Sequence, residues 1–153
     1  MKPQPLNIKE LNELILKMPF NHHLGLRVTR VYKDGLTLEC EMRPELSNGL
    51  GTLHGGVTAS LVDAAVGIAV IGARGGAPAT TVEMKLNYLR PATHGKVRAR
   101  ARLLKVGRTL AVGSVDVHDS HGHTIATGLA TYMLLEAGTG SGPGNLATGA
   151  GKS

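Results

Sequence analysis

The chain has 153 residues and a net charge of +6, a length that fits one domain with a real core. Its single cysteine, Cys40, excludes an internal disulfide and a cysteine-based zinc framework. With no Trp, one Phe and three Tyr there are few stacking platforms for nucleic acid, and the basic residues are scattered, so a phosphorylated small molecule fits the charge at least as well. No arginine-led apolar segment opens the chain, so no signal peptide is visible and the cytoplasm is the expected compartment.

Residues 1–7, with two prolines, read as a loose lead-in. Ile8, Leu11, Leu14 and Ile15 recur at helical spacing, and Asn7 with Glu10 three residues on forms a capping pair. Pro19 ends this short helix, and residues 20–25 form a connector. Residues 26–32 and 36–42 alternate around an Asp34-Gly35 turn, the signature of a β-hairpin. Leu36, Leu38, Cys40 and Met42 share one face, and Thr37, Glu39 and Glu41 the other. The thiol of Cys40 thus reads as a small buried group.

Residues 48–67, NGLGTLHGGVTASLVDAAVG, are unlike anything else in the chain. A glycine-rich loop with one histidine, His54, runs into a segment apolar on nearly every face, which predicts a buried helix fading at 72–76. Thr58, Ser60, Asp63 and Gly67 interrupt it, so a membrane span is not expected. A carboxylate in such a helix must be paired, hydrogen-bonded or used, which singles out Asp63. The helix start offers free N–H groups and partial positive charge, and Gly55 and Gly56 allow close approach of a phosphate or of an oxygen that gains charge during a reaction.

Strand patterns follow at 79–89, around Val82, Met84, Leu86 and Tyr88, then at 96–106, 109–119 and 123–136, and are read as a four-strand antiparallel meander. From residue 137 the composition turns to Gly, Ser, Ala and Thr, a tail expected to be disordered. The expected organisation is an N-terminal segment over 1–19, one domain over 20–136 and the tail over 137–153. An antiparallel sheet has one face to bury, and the central helix is the only large apolar object available to cover it. The fold class is therefore α+β, a curved antiparallel sheet wrapped around one long helix, the hotdog architecture.

Asn48, the GTLHGG run ending at Gly56, and Leu61-Val62-Asp63 closely resemble the PaaI-like (phenylacetate-pathway type) hotdog thioesterases, as do residues 84–91 and 105–110. The resemblance implies an acyl-CoA thioesterase that works as a homo-oligomer, a dimer of hotdogs or a tetramer built from two of them, and no cofactor or metal is expected. By that resemblance the Gly55 N–H polarises the thioester carbonyl, with Asn48 assisting. Asp63 of the other subunit is then the nucleophile or general base. Thr81 stands where some relatives carry a serine that orients water or the leaving group. Arg90, Lys105 and Arg108, at strand ends, are candidates for the CoA phosphates.

Helix geometry supports a shared site independently. Gly55 and Asp63 are eight residues apart, about 12 Å along one helix, too far for one thioester carbon to touch both. Two such helices running antiparallel about a two-fold axis would bring each Gly55 to the other's Asp63. Simpler readings stand beside these. Asp63 fits a structural carboxylate at a helix interface, Asn48 a turn residue, His54 and Gly55 a helix start, and Thr81 an ordinary strand residue. His118, His121 and His123 flank a turn and fit exposed histidines better than metal ligands, and His22 and His23 fit the connector. Two further functions stay open: a non-catalytic acyl-CoA-binding or regulatory protein, and a dehydratase or hydratase on the same fold. Nucleic-acid binding rests on charge alone.

Overall fold

The computed structural model describes residues 3–138. Helix α1 (Ile8–Leu16) starts at the anticipated cap: the Asn7 side chain accepts from the Lys9 and Glu10 N–H groups, and Glu10 accepts from the Asn7 N–H. Leu11 and Ile15 are its buried face. The expected connector contains a one-turn helix, α2 (Pro19–His23), with Pro19 in the first helical position, where a missing N–H costs nothing. Strands β1 (Arg27–Tyr32) and β2 (Gly35–Glu41) form the hairpin. A 3₁₀ turn over Pro44–Leu46 and a loop lead into α3 (Gly55–Ala73). Strands β3 (Ala79–Tyr88), β4 (Lys96–Val106), β5 (Leu110–His118) and β6 (Thr124–Leu134) complete the domain.

One antiparallel sheet runs in the order β1-β2-β4-β5-β6-β3. The four-strand meander is therefore corrected: only β4, β5 and β6 are consecutive neighbours, and β3 pairs with β6 at the far edge. Local periodicity carries no information on this crossover. The chain leaves β2, crosses the sheet within α3, emerges at the far edge as β3 and returns to pair β4 with β2.

Helix α3 packs against β2 through β6 and buries twelve of its nineteen residues, leaving a narrow half-exposed strip through Ala59, Ser60 and Asp63, and this is why its sequence is apolar on nearly every face. Leu61, Val62, Ala65, Val66 and Val70 are fully buried, opposed by Val97, Ala99, Ala101, Val115 and Ala130 from the sheet. Small residues on β4 and β6 let the helix sit close to the strands. The outer face of β4 carries charge: Arg98 and Lys96 each lie 3.1 Å from the buried Glu39 carboxylate, and Arg102 lies 3.0 Å from Asp116. Cys40 is buried, as expected. The tail from 139 onward lies outside the described residues.

Candidate active site

The loop before α3 and the helix start form one half of the site. His54 is the N-cap, and its Nδ1 accepts the Gly56 N–H at 2.8 Å, which assigns the ring proton to Nε2. Its observed role is to open the helix. Gly55, the first helical residue, has an N–H with no partner among the described residues, and its carbonyl accepts the Tyr88 hydroxyl at 2.7 Å. A Cβ at Gly55 would stand 3.2 Å from that hydroxyl, so glycine allows the ring to close over the helix start. Asn48 shapes the loop: its Oδ1 accepts the Leu50 and Thr52 N–H groups, and its Nδ2 donates to the Thr52 hydroxyl at 2.8 Å. One Nδ2 proton remains for a ligand. Asn48, Gly55, Thr58, Tyr88 and Arg90 line a cavity of about 360 Å³.

Asp63 holds the other half, two turns along α3. The Thr81 hydroxyl donates to Asp63 Oδ1 at 2.8 Å, and the Tyr132 hydroxyl reaches the same oxygen at 2.7 Å. Tyr132 also lies 2.7 Å from the Asp63 carbonyl, so its one proton is shared between the two acceptors. Both hydroxyls fall on Oδ1, and Oδ2 has no partner among the described residues. Burial pushes the Tyr132 phenol well above its ordinary range, and the neighbouring carboxylate adds to the shift while a hydrogen bond with Thr81 opposes it. Tyr132 is therefore a neutral donor across the physiological range. Asp63 lines a second cavity, of about 200 Å³, with Met18, Asn21, Ile68, Ile71 and Thr81.

Two local features bring Thr81 and Tyr132 to the carboxylate. Strict alternation about Val82, Met84, Leu86 and Tyr88 puts Thr81 on the opposite face of β3. A bulge between Thr81 and Glu83 leaves Val82 unpaired, so Thr81, opposite Tyr132, and Met84, opposite Ala130, both face the helix. Gly67, one turn beyond Asp63, makes room for the phenol. A Cβ there would stand 2.6 Å from the Tyr132 oxygen.

Tyr88 and Tyr132 are the residues that sequence reasoning missed. Both look like ordinary strand formers. One usable signal was present: a buried tyrosine needs a partner for its hydroxyl, and Asp63 was the buried group without one. Arg90 shares the Gly55 cavity and donates to the Thr124 carbonyl. Lys105 and Arg108 border the β4–β5 turn, at the end of the sheet where β3 also starts but with β6 in between, whereas Arg90 follows the end of β3. Within one chain the two sets are separated by roughly the length of β3, about 30 Å. His121 faces His94 with 3.3 Å between their Nε2 atoms, and His123 pairs with Asp119, whereas His118 sits on β5. His22 and His23 are exposed on α2.

Each chain therefore carries an orphan N–H and a half-free carboxylate in separate cavities of one helix, an arrangement suited to polarising a carbonyl and activating a nucleophile if the two halves are brought together. Residues 50–126 match the thioesterase superfamily profile. The chain is 38% identical over 138 residues to mouse acyl-coenzyme A thioesterase 13, covering 88% of this chain and 99% of that one. It is 30% identical to the medium/long-chain acyl-CoA thioesterase YigI of Escherichia coli, over 78% of this chain and 88% of YigI. A mutant of the phenylacetic acid degradation protein PaaI from Thermus thermophilus superimposes with a TM-score of 0.69 at 32% identity, covering 76% of this chain and 99% of PaaI. The chain is thus a thioester hydrolase with the hotdog fold, and it belongs to the thioesterase superfamily.

Proposed function

We propose that this protein hydrolyses acyl-CoA thioesters to the free acid and CoA, at sites assembled between two copies of the chain. The observation that carries the proposal is the pair of unsatisfied groups on α3. The Gly55 N–H and Asp63 Oδ2 each lack a partner among the described residues, yet lie about 12 Å apart along one helix. Strand β3 supports the assembly. It is a sheet edge bearing exposed Val82 and Tyr88, a surface that proteins normally cover or pair. Two β3 edges joined about a two-fold axis run the α3 helices antiparallel and carry each Gly55 towards the other copy's Asp63. The same operation carries Arg90 of one copy towards the Lys105 and Arg108 turn of the other, a basic clamp for the CoA phosphates. The names of the mouse and Escherichia coli relatives support acyl-CoA as the substrate.

In this reading the thioester oxygen accepts the Gly55 N–H, which stabilises the charge that develops as the carbonyl is attacked. Thr81 and Tyr132 hold Oδ1, so Oδ2 is the reacting atom of Asp63. As general base it takes a proton from water, whose oxygen bonds to the carbonyl carbon. The C–S bond then breaks, and the proton passes to the leaving CoA thiolate. As nucleophile, Oδ2 bonds to the carbonyl carbon, the C–S bond breaks to release the CoA thiolate, and water adding to the Asp63 carboxyl carbon opens the resulting anhydride. Single-turnover hydrolysis in isotopically labelled water separates the routes, because only the second leaves label in Asp63. The function itself is tested by CoA release from aromatic and short to long aliphatic acyl-CoAs, with wild type beside Asp63→Asn. Turnover that collapses in the variant is expected. Binding without turnover in wild type would indicate a non-catalytic acyl-CoA-binding protein.

A further inference from the structure

A third cavity lies on the far side of α3 from Asp63. It encloses about 280 Å³ beneath α1 and the β1–β2 turn, and its walls include Leu6, Leu11, Leu36, Ala69 and Leu103. The lining is mainly aliphatic, with Tyr32 and Lys33 its polar members at the β1–β2 turn, and favours an apolar guest. Ile68 lines this cavity and also the Asp63 cavity, and it is 1% exposed. Its side chain is thus a partition with the reacting carboxylate on one side and unfilled apolar space on the other.

We infer that Ile68 is the residue that sets acyl-chain length, closing the end of the catalytic pocket against an apolar chamber that would otherwise take the distal methylenes of a longer chain. This rests on the acyl-CoA reading above. Met18, Ile68 and Ile71 form the apolar wall of the Asp63 cavity, so a chain whose thioester carbon lies at Oδ2 and which runs along α3 meets Ile68 before it can reach the chamber. Each further methylene that enters apolar space is worth about fourfold in binding, and each that stops against Ile68 gains nothing.

The test is a series of straight-chain acyl-CoAs from butyryl to palmitoyl, read as kcat/KM and, in the Asp63→Asn background, as calorimetric affinity. Wild type is expected to rise with chain length and then level off. Ile68→Ala removes three carbons and joins the two spaces, so the rise should continue past the wild-type limit at about fourfold per methylene. Ile68→Val, which removes one methyl and serves if the alanine variant does not fold, should shift the limit the same way by less. Adding Ala69→Leu to Ile68→Ala returns three carbons to the chamber next to position 68 and should pull the limit back towards that of wild type. A folded Ile68 variant whose profile runs parallel to that of wild type would overturn the inference while leaving the thioesterase reading intact. If no thioester is cleaved, that reading fails on its own, and the affinity series still decides the role of Ile68.

Discussion

Replacing Tyr132 with Phe removes one oxygen and leaves the ring. The lost hydrogen bond is a neutral donor to a carboxylate at 2.7 Å, from a residue 5% exposed, and bonds of this type contribute about 1.5 to 3 kcal/mol. If that bond fixes which oxygen of Asp63 reacts, its loss should appear in kcat at about 10- to 150-fold, with KM little changed. Thr81 still holds Oδ1, and the Asp63 carbonyl is an α3 backbone group, so no buried acceptor is stranded. The thermal midpoint should therefore fall by no more than that bond's own about 1.5 to 3 kcal/mol, a shift of several degrees. Gly67→Ala should give the same kinetic defect by a different route. Its new Cβ would stand 2.6 Å from the Tyr132 oxygen, so the phenol must withdraw. The assay is steady-state CoA release at saturating substrate, run with a thermal melt of each variant. A Tyr132→Phe enzyme with wild-type kcat would refute the positioning role, and one with unchanged kcat and a large loss of stability would make Tyr132 a purely structural residue.

Two further outcomes follow from the same geometry. Gly55→Pro should abolish turnover by about 100-fold or more through loss of one oxyanion donor, whereas Gly55→Ala, which keeps the N–H and adds the same Cβ against Tyr88, should lose much less. Proline suits this first helical position, and His54 already has the extended backbone (φ −62°, ψ 135°) that precedes one. Stability against acid should depend on Glu39. Burial alone raises its carboxyl, but hydrogen bonds and charge from Lys96 and Arg98 outweigh it and hold the group below its ordinary value of 4.5. A depressed carboxylate contributes stability above its unfolded value and loses it as pH falls through the folded one. Denaturant midpoints should therefore fall below about pH 5 in wild type. Glu39→Gln should lack that slope and be less stable at neutral pH by on the order of 2 kcal/mol.

The sequence made α3 legible because a helix buried on nearly every side has little choice of composition, and Asp63 stood out against it. The hairpin was equally plain from Asp34-Gly35 and the alternation on either side. The position of β3 was not. Its own alternation says that it is a strand, but whether it joins β4 or β6 depends on where α3 delivers the chain, and that is a property of the packed sheet. Thr81 was assigned to the site by resemblance, while its periodicity pointed it away. The bulge at Val82 that turns it inward has no local signal of the glycine or proline kind. Tyr132 escaped for the same reason, since its meaning lies in Gly67 and Asp63, more than sixty residues away in the chain.

The central claim is that Gly55 and Asp63 of different copies act on one thioester. Subunit mixing tests it most directly. Asp63→Asn and Gly55→Pro proteins, each inactive alone, are dissociated together, reassociated in equal amounts and assayed for CoA release. Mixed dimers then contain one site with an intact Gly55 from one chain and an intact Asp63 from the other, so the mixture should recover about a quarter of wild-type activity. No recovery, in a mixture shown by mass spectrometry to contain the mixed dimer, would contradict the shared site and place both groups' work within a single chain.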